Sequence, residues 1–568
     1  MAGKRHKEQR KIALAAKPEP ARGAATTRAL RGFLERHARA LALALVALAS
    51  IRIIATYNVF SNVIDEPAHI ACGMEWLDKG VYRWEPQHPP LARVAAALGP
   101  YLLGIRSQGT ARENDFSMYY EGDAILHRQN YDRTLALARL GILPFFWIAC
   151  GVVYVWGKRY FGAATAVAAL FLFSFLPPVL AHAGLATTDM ALTAFLCAAL
   201  LAGLMWAEEP GARRAVWFGA ATGLAVLSKF STLVFLPAAT VAALAAYAIV
   251  ERPRAGNVWQ AIQRRLPTFG LAVLTGAVVI WAGYRFSFGP VAWPHMPLPG
   301  PELFQGIQDV MRHNREGHPS YLLGAVSIDG FWDFYFVVLA VKTPLAFLAL
   351  LGVGTAVALR RSSGNRAWLP LACAAGVLCA ALFSHINIGV RHILPVYVMF
   401  SLVAAVGAMQ LLDRAEGRTW AGAALGALVL LLGVSSLLAH PDYIPYFNEI
   451  AGSHPENILV DSDLDWGQDL KRLAARFQEL GATDAVSVPL SMVDVRKDFG
   501  LPRPPNLDEI VSHPARWTAL SLTMWKQRHL GLPPEFWNVP IWPDRVPPTE
   551  MVGKGMALWH FPEGSGTR

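Results

Sequence analysis

Long apolar runs with brief polar punctuation fill the chain from residue 40 to residue 439. A helix needs about 20 such residues to cross a hydrocarbon core of about 30 Å. The runs divide into eleven predicted spans, at 40–59, 134–156, 162–181, 186–207, 214–229, 231–250, 266–288, 337–358, 367–384, 393–412 and 419–439. Two divisions rest on length. Residues 215–250 are apolar apart from Ser228 and Lys229. As one helix they would reach about 54 Å, too long for one bilayer, so two short helices turning at Lys229 are predicted. Residues 162–207 divide likewise between His182 and Asp189. Two stretches between spans are long, 60–133 and 289–336. Within the first, 91–104 is apolar but too short to span, which predicts a helix lying in the interface. The second ends in the aromatic run Phe331 to Phe336, suited to a membrane surface. After residue 440 the pattern changes. Pro, Trp and charged residues are spread throughout, with a helix expected over 468–480 and a strand-like run at 484–492. This predicts a small mixed α/β domain.

Charge sets the orientation. With the N-terminus inside, the inner loops contain Lys158, Arg159, Arg213, Arg214, Arg252, Arg254, Arg264, Arg265, Arg360, Arg361, Arg366, Arg414 and Arg418. The short outer loops contain only Lys229 and Arg391. This matches the preference of Lys and Arg for the cytoplasmic side. The expected organisation is a basic cytoplasmic tail over 1–39, a transmembrane part over 40–439, and an outer-face part over 440–568. The chain is 54% hydrophobic and 16% charged, against about 25% charged in soluble proteins, which excludes an ordinary soluble enzyme. The net charge of +10 is no nucleic-acid signal, because residues 1–39 alone hold eleven Lys or Arg against three Glu. That tail suits anionic lipid, and no small-residue cleavage site follows the first apolar run. Four of the five cysteines lie in apolar spans and Cys72 lies in a loop, so no disulfide framework is expected.

The candidate chemistry gathers at one depth. Asp65, Glu66, His69, His88, His182, Asp189, Lys229, His385, Asn387, Arg391 and His392 all fall at or beyond the outer ends of predicted spans. Arg52, Arg139 and Lys342 lie within about two turns of an outer end. Ionisable groups inside a bilayer are costly and point to function. Asp65 and Glu66 precede Pro67, so either suits a helix N-cap. The functional reading of the pair is a general base. Asp65 and His69 have a spacing that suits a metal, but two ligands are no site. Arg139, Lys229, Lys342 and Arg391 suit a phosphate at that depth. His69, His88, His182, Asp189, His385, Asn387 and His392 are expected around the substrate. The run Asp461-Ser462-Asp463-Leu464-Asp465 lacks the Gly and Glu of an EF-hand loop, where Trp466 and Arg472 stand instead. Its aspartates are expected to cap the 468–480 helix and to meet polar partners.

Asp65-Glu66-Pro67-Ala68-His69, followed by His88-Pro89-Pro90-Leu91, resembles the first outer loop of the protein O-mannosyltransferase-like enzymes, glycosyltransferase family 39 of the GT-C superfamily. The lipid A aminoarabinose transferases are relatives within that group. Thr187-Thr188-Asp189, Lys229, His318-Pro319-Ser320-Tyr321-Leu322-Leu323-Gly324, Lys342-Thr343-Pro344 and Asn387 to Pro395 extend the resemblance, as does Leu464-Asp465-Trp466-Gly467-Gln468-Asp469-Leu470. Ala325 stands where bacterial members often have Glu. The resemblance implies a mainly helical GT-C fold in a bacterial inner membrane, with 40–439 as the catalytic part and 440–568 in the periplasm, in keeping with the eleven spans and small outer α/β domain expected above. It also implies a polyprenyl-phosphate sugar donor, an acceptor on the outer face, and Asp65 as the first catalytic acid. No cofactor is implied; a divalent metal is compatible but not required. The rival reading is a secondary transporter, which would place its charged groups near the midplane of two related halves. Here they gather at one end and no repeat is visible.

Overall fold

The computed structural model describes residues 22–110, 117–292, 295–360, 366–528 and 532–562, apart from 534, 536 and 538. The expectations for residues 1–21 and for Arg361 lie outside the described residues. The chain is mainly helical. Among the described residues six helices are long and apolar enough to cross a membrane, and three bent helix pairs raise the number to nine. Each of the eleven predicted segments is helical. The other two, Ala212–Ser228 and Trp368–Ala381, are shorter than that test allows. The single span expected at 134–156 is instead a continuous stretch, Tyr131–Phe161, of 31 residues. The long 215–250 run does break at Lys229, into Ala212–Ser228 and Thr232–Glu251.

The breaks position chemistry. Ala163–Ser174 and Pro177–Ala183 bend by 69°, and Phe334–Lys342 and Leu345–Ala358 by 115°. Pro177 and Pro344 stand at these breaks, where a missing N–H and a fixed φ interrupt the helical ladder. They leave His182 and Lys342 at or near helix ends. In the first long stretch between spans, Glu66–Met74 lies between Pro90–Leu102 and Ser117–His127. Contact is backbone to backbone. A Cβ on Gly73 would fall 2.0 Å from Arg93 O, and one on Gly122 would fall 1.9 Å from Pro67 O. Pro90–Leu102 matches the short helix expected over 91–104, and Cys72 is buried in Glu66–Met74. All five cysteines are free, and of the four in apolar spans only Cys379 is exposed.

The C-terminal segment carries a four-stranded sheet. Its order is Ala485–Val488, Trp517–Ser521, Met556–His560, Glu550–Val552, the first pair parallel and the others antiparallel. The expected 484–492 run is thus shorter than its apolar pattern. Successive side chains point to opposite faces of a strand. Ala519 and Leu558 join Leu470, Leu473 and Phe477 of helix Leu470–Leu480 on one face. Leu520, Ala557 and Trp559 join Leu464, Trp542 and Tyr321 on the other. Tyr321 comes from the second long stretch between spans, so this core reaches beyond the C-terminal segment itself.

Candidate active site

The acidic pair splits. Asp65 stands at the N-cap position of Glu66–Met74 but makes no side-chain cap bond. Glu66 reaches back instead and accepts Val63 N at 2.8 Å. Its carboxylate also accepts Ala186 N at 2.8 Å and both Nε and Nη2 of Arg139 at 2.8 Å each. Arg139 gives its other donors to Tyr57 O at 2.9 Å and Ser61 O at 2.8 Å. Glu66 is 0% exposed and Arg139 1%. A carboxylate with four donors and a guanidinium this occupied form a closed buried unit. It ties the loop at 57–66 to the helix that carries Arg139 and to the turn before Asp189–Glu208 that carries Ala186.

Asp65, one residue away, keeps 22% of its side chain exposed. Its Oδ2 accepts Arg391 Nη1 at 2.8 Å. The Arg391 guanidinium lies over the Trp466 ring, 4.2 Å from its centroid. Arg391 Nη1 stands 3.9 Å from Asp189 Oδ2, and Lys229 Nζ donates to Asp189 Oδ1 at 2.6 Å. Arg391 Nε, Asp189 Oδ2 and His182 Nδ1 are buried without a hydrogen-bond partner. His182 packs edge-on to Trp466 with centroids 6.2 Å apart. Two cations and two carboxylates from four distant parts of the chain thus form a partly open chain, Lys229–Asp189–Arg391–Asp65. Three such unpartnered atoms close together leave hydrogen-bonding capacity for a further polar group.

The histidines divide as well. His69 is buried and its Nδ1 accepts Arg93 Nε at 3.0 Å. Burial, then the Arg93 charge, holds its pKa well below the usual imidazole range. His88 packs edge-on to His69 at 5.3 Å and contacts Glu85 at 2.8 Å. Burial, then the charge of Lys229, lowers its pKa to about 4, with Asp65 acting against them. His392 lies in the turn Val390–Ile393 and is lowered well below its ordinary value, by burial first and then by Lys229 and Arg391. All three are neutral near pH 7. His385 is exposed at the rim.

The remaining expected residues are structural in their contacts. Asn387 accepts Phe331 N at 2.6 Å and donates to Ser384 O at 3.3 Å, pinning its turn. Lys342 was expected at a donor phosphate. It is 1% exposed and donates to Ile444 O at 2.7 Å and Asp463 O at 2.5 Å, with Phe447 4.2 Å from its ammonium. Arg52 donates to Ser436 O at 2.6 Å, away from this group.

The aspartates of 461–465 do not cap the following helix, whose N-cap position is Asp469, itself without a cap bond. They knit the C-terminal segment to the site. Asp463 Oδ1 accepts Val390 N at 3.0 Å, next to Arg391. Asp465 accepts from Ser521 Oγ and from Gly467 N at 3.1 Å. Ser61 N donates to Gln468 O at 3.1 Å and Ile64 N to Trp466 O at 3.0 Å, immediately before Asp65. Asp461 has a left-handed φ of 57°. Burial raises its carboxyl to about 7 against the pull of Arg391, and Asp65 and Asp463 add to the rise. Arg93, 1% exposed, escaped the sequence reading. A lone arginine in the apolar 91–104 run was the available signal.

Residues 136–282 match the family model described as dolichyl-phosphate-mannose-protein mannosyltransferase. The resemblance drawn from the motifs therefore has independent support. The match takes in Asp189 and Lys229 and stops short of Asp65 and Arg391. A search of curated proteins returns no match. Among solved structures the chain is similar to ArnT from Cupriavidus metallidurans bound to undecaprenyl phosphate, at 18% identity over 73% of this chain and 67% of that one, with a TM-score of 0.48. The apo state of ArnT gives 18% identity over 70% of this chain and 64% of that one, with a TM-score of 0.47. The chain thus spans about two-thirds of the length of ArnT. The archaeal oligosaccharyltransferase AglB from Archaeoglobus fulgidus, in complex with an inhibitory peptide and a dolichol-phosphate, gives 12% identity over 85% of this chain and 70% of that one, with a TM-score of 0.45.

Proposed function

We propose that this membrane protein transfers a sugar from a polyprenyl-phosphate donor to an acceptor on the outer face of a bacterial inner membrane. The observation that carries the reading is the open chain Lys229–Asp189–Arg391–Asp65, in which a part-exposed carboxylate sits beside cations that still have donors to give. The family description names a polyprenyl-phosphate sugar as donor, and the matched region contains the Lys229–Asp189 end of this chain.

In this reading Asp65 accepts the proton of the acceptor hydroxyl or amine. The freed electron pair forms a bond to the anomeric carbon, the bond from that carbon to the phosphate oxygen breaks, and its electrons leave with polyprenyl phosphate. A single displacement inverts the anomeric carbon. Lys229 and Arg391 stabilise the charge that develops on the phosphate, because they are held in place before reaction and stand at the dry edge of the bilayer. Arg391 has a double duty, orienting Asp65 through Nη1 while Nε remains to be satisfied. Arg139 and Lys342 are left out of phosphate binding, since their donors are already bonded to protein. Phosphate is a good enough leaving group that the scheme needs no metal. The N-terminus is assigned to the cytoplasm, with eleven crossings and residues 440–568 in the periplasm.

The test is donor cleavage by the purified protein. Polyprenyl-phosphate mannose, aminoarabinose, glucose and galactose are offered separately, with membrane extract as acceptor source. Mass spectrometry follows free polyprenyl phosphate. Release from one donor that Asp65→Asn abolishes is the expected result. Failure of a folded sample to bind any of the four donors contradicts the reading.

A further inference from the structure

A cavity of about 940 Å³ lies outside the group just described. It lies between the helical turn Glu75–Lys79, the hairpin of Phe288–Pro290 with Pro297–Pro299, and the helix Pro301–Glu316. Trp76, Tyr82, Phe288, Gln305, Gln308 and Arg312 are among its lining residues. None of them belongs to the chain from Lys229 to Asp65.

Its construction is specific. Gly306 lets Pro301–Glu316 lie directly on the backbone of Pro86, since a Cβ there would fall 2.2 Å from Pro86 O. The polar stripe Glu302, Gln305, Asp309 and Arg312 then recurs at the three- and four-residue spacing of one helix face, towards the cavity. Opposite, Arg285 and Phe286 are consecutive non-glycine residues with φ of 57° each. Such left-handed pairs persist only where the surroundings enforce them, and they cluster at binding sites. Here they place the Arg285 guanidinium 4.8 Å from the centroid of Trp76. The cavity also shares a wall with the site. Tyr82 donates to His88 O at 2.5 Å and accepts Arg93 Nη1 at 3.0 Å, and Arg93 Nε holds His69.

The lining selects a ligand class. A sugar presents an apolar C–H face and a rim of hydroxyls, each both donor and acceptor. Phe288, 64% exposed, offers a face for the first requirement, and mixed amides, carboxylates and guanidiniums meet the second. Gln305 and Gln308 are exposed and offer both donors and acceptors. An anionic headgroup would meet Arg83 and Arg285 but also the carboxylates of Glu302 and Asp309, and Arg312 is already paired with Asp309 at 2.8 Å. A peptide bound by strand addition would need a free strand edge. The hairpin here contains Pro290, Pro297 and Pro299, which lack the N–H to donate. The volume is at the upper end of ordinary ligand pockets, which suits an oligosaccharide better than one sugar.

We propose that this cavity is a carbohydrate-binding cleft that holds the glycan of the acceptor beside Asp65. The word acceptor rests on the glycosyltransfer reading; the carbohydrate class does not. The test uses the full chain in a detergent without a sugar headgroup, with no donor present. Mannohexaose, chitohexaose and cellohexaose are offered in saturation-transfer NMR and titration calorimetry. At least one is expected to bind, and the double variant Gln305→Ala/Gln308→Ala, on an exposed helix face, is expected to weaken it at least tenfold. Binding of undecaprenyl phosphate is expected to be equal in both proteins. No binding of any hexasaccharide, or binding unaffected by the double variant, overturns the proposal. So does loss in the variant of binding to a Ser/Thr-rich peptide while hexasaccharide binding is unaffected. Hexasaccharide binding lost in the variant, in a protein that cleaves no donor, upholds the cleft and counts against the glycosyltransfer reading alone.

Discussion

Glu66 and Asp65 are neighbours in sequence and opposites in environment. Around Glu66 every acceptor position is filled by a backbone N–H or by Arg139, and nothing of either side chain meets solvent beyond 1%. Around Asp65 one guanidinium nitrogen is shared along a chain of four charges, and several polar atoms lack partners. The difference teaches that a charge motif is not a unit of function. The closed pair fixes the loop; the open one is available for chemistry. Breaking a buried pair by removing one partner typically costs 3–5 kcal/mol, because the survivor is left charged and unpaired. Removing a reactive carboxylate changes the barrier to reaction and leaves folding largely intact.

Substitutions at the two regions sharpen this contrast. Asp65→Asn has the largest expected effect on rate, a loss of about 10²- to 10⁴-fold in donor turnover, the usual contribution of a positioned general base. Lys229→Met comes next, with about 10²- to 10³-fold lost from the turnover of its folded fraction, the range for one preorganised donor at a developing oxyanion, and with a loss of stability as well, because Asp189 is left buried without its partner. Kinetics on the purified variants check both. Arg139→Met is expected to act on folding, lowering stability by about 3–5 kcal/mol in a denaturant or thermal assay. A selective loss of undecaprenyl phosphate binding by a stable Arg139→Met protein would break the division drawn here. Gly122→Ala is a smaller structural test. The Cβ would meet Pro67 O, and overpacking of this kind costs about 1–3 kcal/mol.

The smallest expected effect is on pH dependence. Burial raises Asp461 to about 7 in the folded protein, well above an unfolded aspartate near 3.9. The folded state therefore holds the proton more tightly. This stabilisation is full below the unfolded value and is lost as pH rises through about 7. His69, His88 and His392 are lowered and act in the opposite sense, adding stability as pH rises through about 6.5. Between pH 6.5 and 8 the wild type is therefore expected to lose melting temperature relative to Asp461→Asn, which lacks only this contribution. Scanning fluorimetry across the window checks it.

Much of the helical architecture is legible in the apolar runs, because a bilayer demands a minimum length. The break at Lys229 follows from that length alone. The bend at Lys342 does not, since the run over 337–358 is long enough to cross straight and only Pro344 interrupts it. The depth of the charged residues likewise brings Asp65, Asp189, Lys229 and Arg391 to attention together. What sequence withholds is saturation. Arg139 and Arg391 look alike as charges near outer ends, yet one is surrounded by carbonyls that any residue could supply. Lys342 is hidden for the same reason, bonded to Ile444 O and Asp463 O. Backbone partners leave no trace in side-chain pattern. The role of 461–470 is hidden as well, because its contacts to residues 61–64 and to 388–391 join parts of the chain more than seventy residues apart.

The most direct measurement compares Asp65→Asn with Glu66→Gln in the same purified samples, reading donor turnover and thermal stability together. The account predicts that Asp65→Asn melts near the wild type and has lost turnover by at least 10²-fold, while Glu66→Gln melts several degrees lower and its surviving folded fraction still turns over. A stable Glu66→Gln protein without turnover, beside an active Asp65→Asn protein, would contradict it.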